Sequence, residues 1–432
     1  MANELSIGTR RMGSLIDFDK NTHPVNVVLE RDERGISIVV PWPSLDDPYA
    51  KWFVRDSHSK VYERKVPKRL LFSDSYGEVM LVDCWPRGYH HNLDSGSGRV
   101  WAKYAIIGVD DDIDFLVVHG IRSEVSGLRQ WLGVSSLSED FDRKAGVFTL
   151  KAKAAEPVRI GAELTLNPSW KTERAQDDES ITVRDIVYCE SRMEKPTTWH
   201  DSLGMHLGLR DLLMLSRWVE ETCEVVSVLR LDDPIRTLDG KTHGEQWRTV
   251  IPAEANDSEA TKPSGYRPHL IQFDEIGQNG LEKWLQLREE FGRALDPIIS
   301  DRFLKGVGAV THMAEVGPGL EALGFLLLLR DGLSEAAAGK ASLRRRFERI
   351  HEDVSEAIPF DGLDWINGTV SAYNGIKHAN RELPTELELL NRWRESLLTV
   401  RVWVATELGV NASDILERLR YDPQTSAFVQ LN

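Results

Sequence analysis

Three cysteines, Cys84, Cys189 and Cys223, are all that 432 residues provide. They are far apart and odd in number, which excludes a disulfide framework and fits free thiols, used for packing in a reducing compartment. Long apolar runs are missing too. The longest, residues 324–329, is far short of the ~20 residues needed to cross a bilayer, and the stretch from Met1 to Ser6 lacks a basic segment followed by an apolar one. The expectation is a cytoplasmic protein with no membrane partner. Cations are the minority sign, 53 Lys and Arg against 68 Asp and Glu, for a net charge of -15. This argues against broad, non-specific binding of nucleic acid, because phosphate contacts are supplied by clusters of Lys and Arg, and any RNA or DNA site has to be local.

Signatures for cofactors and metals are equally scarce. Gly240-Lys241-Thr242 resembles the end of a phosphate-binding loop, but the position of its first Gly holds Ile235, so a surface turn is expected. Cys84, His90, His91 and Asp94 are zinc-ligand types without a second Cys or His pair at the usual spacing. His200 and His206 are six apart and would point to different sides of a helix. No cofactor and no metal are expected.

What is present is the composition of an ordinary globular protein, 41% apolar and 28% charged, in a chain long enough for two or three domains of roughly 100 to 200 residues. The first half reads as strands. Val25 to Leu29, Gly35 to Val40, Glu78 to Val82, Val100 to Ile107 and Phe115 to His119 are short runs rich in Val, Ile and aromatics, separated by turn signals. More strands are expected at Val147 to Ala152, Val158 to Leu166 and Ile181 to Cys189, with 172–180 as a hairpin tip. Leu203, Leu207, Leu213 and Trp218 then mark a helix from about Ser202 to Glu221, followed by a strand from Cys223 to Leu231. Residues 253–265 have almost nothing to bury and read as a loop or linker.

From about Gly277 the pattern is helical. One long helix is expected through Leu281, Trp284, Phe291, Leu295 and Ile298, and a second starting near Pro318. A third carries Leu343, Phe347, Ile350 and Val354 on one side and Arg344, Arg345, Arg346 and Arg349 on the other. A fourth runs from Asp361 to about Asn380, and a fifth opens with the capping pair Thr385 and Glu388 and ends at Gly409. The architecture expected is α+β: a β-rich region over 1–275, then an antiparallel bundle of five helices over 278–432.

The fourth helix carries the chemistry. Leu363, Ile366, Val370 and Tyr373 would face the core, and Asn367, Ser371, Asn374 and His378 form a polar stripe beside them. Polar groups at such a border are partly desolvated yet reachable, as catalytic groups need to be. Spacing alone leaves two plainer alternatives open: Asn374 and His378 bond only to neighbouring helices, or the stripe is a dimer contact.

Tyr373-Asn374-Gly375-Ile376-Lys377-His378, late in a helical bundle, resembles the Arg-Asn-x-x-x-His signature of HEPN ribonucleases. Upstream, the β-rich run leading into Ile121-Arg122-Ser123-Glu124-Val125-Ser126-Gly127-Leu128-Arg129-Gln130-Trp131-Leu132 is similar to the N-terminal domain of ApeA-like proteins, where a sheet region ends in a comparable Leu-x-x-Trp-Leu segment. The two resemblances together cover nearly the whole chain. They imply an anti-phage effector acting by abortive infection, in which the N-terminal part senses a phage-derived trigger or restrains the effector. The helical part would cleave RNA, transfer RNA included, without metal, as a homodimer or higher homo-oligomer in which two motifs meet. Asn374 and His378 are then the catalytic residues, an imidazole being suited to proton transfer at cellular pH. The family's Arg position is occupied by Tyr373, which is no permanent cation. The phosphate charge would fall to Lys377, Arg381, Arg345 or Arg349. The alternative is that catalysis has been lost and the bundle mediates dimerisation or RNA binding.

Overall fold

A computed structural model describes residues 3–16, 18, 22–54, 66–109, 113–174, 179–237, 239–254 and 268–430. Residues 255–265 of the expected linker and 175–178 of the expected hairpin tip lie outside the described residues. The first strands are β1 (Arg10–Ile16), β2 (Val25–Asp32), β3 (Gly35–Trp42), β4 (Arg69–Asp74), β5 (Gly77–Asn92), β6 (Ser95–Ile107) and β7 (Val117–Val125). After the short helix α1 (Leu128–Leu132) come β8 (Leu137–Asp142), β9 (Val147–Ala152), β10 (Val158–Ile160), β11 (Leu164–Arg174) and β12 (Ile181–Thr198). Helix α2 (Trp199–Arg217) is followed by β13 (Cys223–Arg236) and β14 (Thr242–Pro252). The rest is helical: α3 (Phe273–Glu290), α4 (Gly292–Asp301), α5 (Ala309–Arg330), α6 (Glu335–Lys340), α7 (Leu343–Val354), α8 (Gly362–Lys377), α9 (Glu386–Glu407) and α10 (Ala412–Leu419). The α+β class read from the sequence is the one observed.

Strands β6, β3, β2, β1, β4 and β5 pair in that order, and β5 pairs back onto β6, so six antiparallel strands close into a barrel. The β2–β3 turn shows the local cause. Asp32 accepts the Arg34 backbone N–H at 2.9 Å, and Gly35, at φ 128°, takes a conformation that costs a side-chain-bearing residue dearly. The inward residues Leu15, Leu29, Ile38, Phe72, Leu81 and Val100 are buried and fill the barrel. Strand β14 then pairs with β6 through Val250–Pro252 and with β13 through its earlier residues, handing the barrel over to a second antiparallel sheet ordered β14-β13-β7-β12-β11-β10.

The second sheet carries α2 on one face. N-cap Thr198 starts this helix by accepting the Asp201 N–H, and Trp218, at φ 53°, ends it. Helix α2 links sheet to bundle: Leu164, Leu166 and Val187 from the sheet, Leu209, Leu212, Leu213 and Leu215 from α2, and Trp284, Leu320 and Trp403 from the helices belong to one continuous core. Helix α9 lies at its centre, buried without interruption from Arg394 to Ala405. Its capping box is formed as the sequence indicated: the Thr385 hydroxyl accepts the Glu388 N–H, and the Glu388 carboxylate accepts the Thr385 N–H.

Several elements differ from the sequence reading. Strands β1, β4, β8 and β14 escape notice because their charged residues mask the alternation. The first long helix is two, broken at Phe291, whose φ of -105° and ψ of 13° are not helical. Pro318 lies inside α5, which begins at Ala309 after Gly308; its ring is on an exposed face, away from the packed neighbours. Helices α6 and α10 are additions, so eight helices rather than five follow the sheet among the described residues. Helix α5 is long and apolar enough to cross a bilayer by length and composition, and half of it is buried within the protein.

Candidate functional site

Helix α8 begins at Asp361, whose carboxylate accepts the N–H groups of Leu363 and Asp364 at 2.8 and 2.9 Å. Its buried face is Trp365, Ile366, Thr369, Ala372 and Tyr373. Leu363, expected in the core, is exposed. The polar stripe is correspondingly more open than expected: Asn367 and Ser371 are exposed and Asn374 is half-buried. Asn367 accepts the Arg344 guanidinium at 2.6 Å.

The helix stops at Lys377, three residues before the expected end, and His378 is an extended cap residue at φ -127°. Its backbone N–H still closes the last turn on the Asn374 carbonyl at 3.0 Å. Crowding at Gly375 accounts for the stop. A side-chain carbon there would sit 2.6 Å from the Glu382 carbonyl oxygen, so the chain after His378 folds back over the final turn, and only glycine admits it. Asn374 and His378 therefore lie at the same helix end but not on one helical stripe. Neither side chain has a hydrogen-bond partner among the described residues, and His378 is exposed.

Tyr373, at the position of the signature's arginine, points inward and is 5% exposed. Gly317 of α5 makes room for its ring, which would collide with any side-chain carbon at that position. Burial first, then the Glu321 carboxylate beside it, push the phenol up to about 12. The ring stays neutral at cellular pH and supplies no charge to a phosphate.

The four candidate cations part company. Lys377 bonds Glu321 at 3.0 Å and lies over the Tyr373 ring. Arg345 pairs with Glu352 at 2.6 Å on an exposed surface. Arg349 is buried and held by Asp331 and Asp353, both sides of its fork in use. Its expected place on a solvent face, and that of Arg346, is thereby corrected: acidic partners on α5, on α7 and after α5 draw both inward. Arg381 lies past the helix, exposed, with no side-chain partner among the described residues. It is the cation left free beside Asn374 and His378.

Two features were not anticipated. Glu321 joins Arg346 at 2.7 Å to Lys377, and its one signal was a lone acid in an otherwise apolar helical run. At the start of α5, His312 Nδ1 meets Asp301 at 2.7 Å while Trp393 Nε1 donates to the other oxygen at 2.9 Å. Burial raises the Asp301 carboxyl, with both of these bonds pulling against it. Trp393 packs on the small core of Ala309, Met313, Ala372, Tyr373 and Leu389, so this group borders the end of α8. Partners 11 and 92 residues away leave no local pattern to read.

In the N-terminal region Leu128, Trp131 and Leu132 of α1 are buried in the core shared with the helices. Trp131 Nε1 donates to the Ile271 carbonyl at 2.7 Å, just before α3. This short segment thus joins the sheet to the bundle. Cys84 is buried while His90 and His91 are exposed, which separates those ligand types, and Gly240 lies in the turn between β13 and β14.

Residues 15–284, more than half of the chain, match the family described as ApeA N-terminal domain 1. No curated protein and no solved structure matches the chain.

Proposed function

This chain belongs to the ApeA N-terminal domain 1 family, and from that premise we propose that it is an abortive-infection effector whose helical region cleaves RNA without metal. Anti-phage defence is the role the family suggests. The observation that supports the cleavage reading is the end of α8, where Asn374, His378 and Arg381 have no side-chain partners among the described residues, whereas the neighbouring cations are paired. Side chains that satisfy nothing within the fold are available to a substrate.

In the proposed reaction His378 takes the proton of a ribose 2′-hydroxyl, whose oxygen attacks the adjacent phosphorus. The bond to the 5′-oxygen breaks, a cyclic phosphate forms, and the leaving oxygen takes a proton from the same motif of a second copy. Asn374 donates a hydrogen bond to a non-bridging oxygen, and Arg381 offsets the charge that grows there. Residues 1–275 would sense a phage-derived trigger or hold the effector in check, and the protein would act in the cytoplasm.

The test is incubation of the purified protein with total RNA and with transfer RNA in EDTA, beside His378→Ala and Asn374→Ala. Cleavage should fall by about 100-fold or more when the proton-transfer group is lost, and phage protection should fall with it. A second reading is favoured by Tyr373, a buried neutral ring where the signature has its cation: the bundle binds RNA or dimerises without cutting. Retained RNA binding with no cleavage under any activating condition selects it.

A further inference from the structure

Helix α5 has two apolar faces. Met313, Val316, Leu320, Leu323 and Leu327 face the core. Pro318, Ala322, Phe325 and Leu326 recur at helical spacing on another face, where none of them is fully buried. That second face is the floor of a cleft of about 580 Å³, walled by Arg293 and Pro297 of α4 and by Arg346 of α7. The volume falls in the ~300 to 1,000 Å³ range of small-molecule sites, and the lining is mostly apolar with a few polar groups, although the cleft is half open to solvent.

The charges in the cleft say what would fill it. Arg293 is exposed and has no hydrogen-bond or ion-pair partner among the described residues. Arg346 is only 9% exposed, and its Nε is buried without an acceptor. Its guanidinium lies over the Phe325 ring, 5.6 Å from the centroid, beside a flat apolar surface. One unpaired cation at the wall, one buried donor lacking an acceptor and one aromatic face together call for an anion joined to a flat ring. Glu321, the single acid of the lining, is turned to Arg346 and Lys377.

We propose that this cleft binds a small anion carrying a planar ring, the chemistry of a nucleoside monophosphate, with its phosphate on Arg293 and Arg346 and its base against Phe325. The anion competes with Glu321 for Arg346. Because Glu321 released from Arg346 keeps Lys377 as its cation, occupancy strengthens the contact that holds the last turn of α8, which makes the cleft a regulatory site for that helix end. The binding claim does not depend on whether the protein cuts RNA.

The test is isothermal titration of the full chain with AMP, GMP, CMP and UMP, with adenosine and inorganic phosphate as controls. At least one nucleotide should bind saturably and much more tightly than either control. Arg293→Glu should weaken it by about tenfold or more, the scale of one lost charge-assisted hydrogen bond. Ala322→Trp, which fills the cleft from its floor, should abolish binding while leaving the unfolding temperature near that of the parent. Glu321→Gln should bind more tightly, since it removes the competing charge, a gain that a purely structural role for Glu321 would not produce. Four results would overturn the proposal: no nucleotide binding, phosphate binding as tightly as nucleotide, binding that survives Ala322→Trp, or Ala322→Trp splitting an oligomer that never binds nucleotide. The last would assign the cleft to a second copy of the chain.

Discussion

Replacing Arg401 with methionine tests whether sheet and bundle are held together by a buried cation. Arg401 is fully buried in α9 and reaches four acceptors: the Leu215 carbonyl at 2.7 Å, the Ser216 carbonyl at 3.2 Å, Asp422 at 2.6 Å and Gln424 at 2.5 Å. The two carbonyls belong to the last turn of α2, where a helix has no internal donors left for them. Methionine fills much of the space but donates nothing. It leaves the Leu215 carbonyl unpaired, the Ser216 carbonyl with only the Leu270 N–H, and the carboxylate of Asp422, whose side chain is 6% exposed, without its counter-charge. Breaking a buried pair from one side costs about 3 to 5 kcal/mol, against roughly 5 to 15 for a typical whole domain. Urea unfolding followed by tryptophan fluorescence should show the midpoint fall at unchanged slope. Adding Asp422→Asn to Arg401→Met should restore about 1 kcal/mol or more, because the stranded charge is then gone. A single-variant loss below about 1 kcal/mol would refute the reasoning, since the desolvation of the guanidinium would then cancel its bonds.

His206 is fully buried on α2 with Nδ1 on the Ser123 hydroxyl at 2.7 Å, and burial alone lowers its pKa to about 3. A folded-state value below the unfolded one stabilises the neutral form, so stability should be full above the unfolded value near ~6.5 and be lost as pH falls towards 3, by up to about 1.4 kcal/mol per pH unit. His206→Gln should flatten this dependence between pH 6 and 4 by about one proton in unfolding titrations; an unchanged slope would contradict a buried neutral imidazole. Gly317→Ala should destabilise by about 1 to 3 kcal/mol, because the new methyl meets the Tyr373 ring. Calorimetry should show the double variant with Tyr373→Leu losing less than the sum. Trp131→Phe keeps an aromatic ring, though a smaller one, but removes the bond to Ile271, for a cost of about 1 to 3 kcal/mol and faster hydrogen exchange at the start of α3.

The candidate site was only partly legible for reasons particular residues make plain. Asp361, Thr385 and Glu388 announced their helix starts because a cap is made within three residues. Tyr373 could be placed on the core face because Ile366, seven positions earlier, repeats the pattern. Leu363 broke that pattern, since its own side of the first turn of α8 faces solvent. Arg346 and Arg349 looked like a solvent face, yet Glu321 and Asp331, 25 and 18 residues away, turn them inward. The end of α8 at Lys377 depends on Glu382 reaching Gly375, a contact that helical periodicity does not encode.

What the sequence by itself determined is what short-range physics controls: the switch from strand to helix, the caps, the α+β class and the place of the Asn374 to His378 turn late in a helical region. Tertiary structure alone decided how β14 passes the barrel to a second sheet, how α2 makes one core of sheet and bundle, and which cations remain free. The physical reason is distance along the chain. Burial and ion pairing depend on partners brought together only by folding, so Arg349 and Arg381, alike in charge, end up one held by two carboxylates and the other open to solvent.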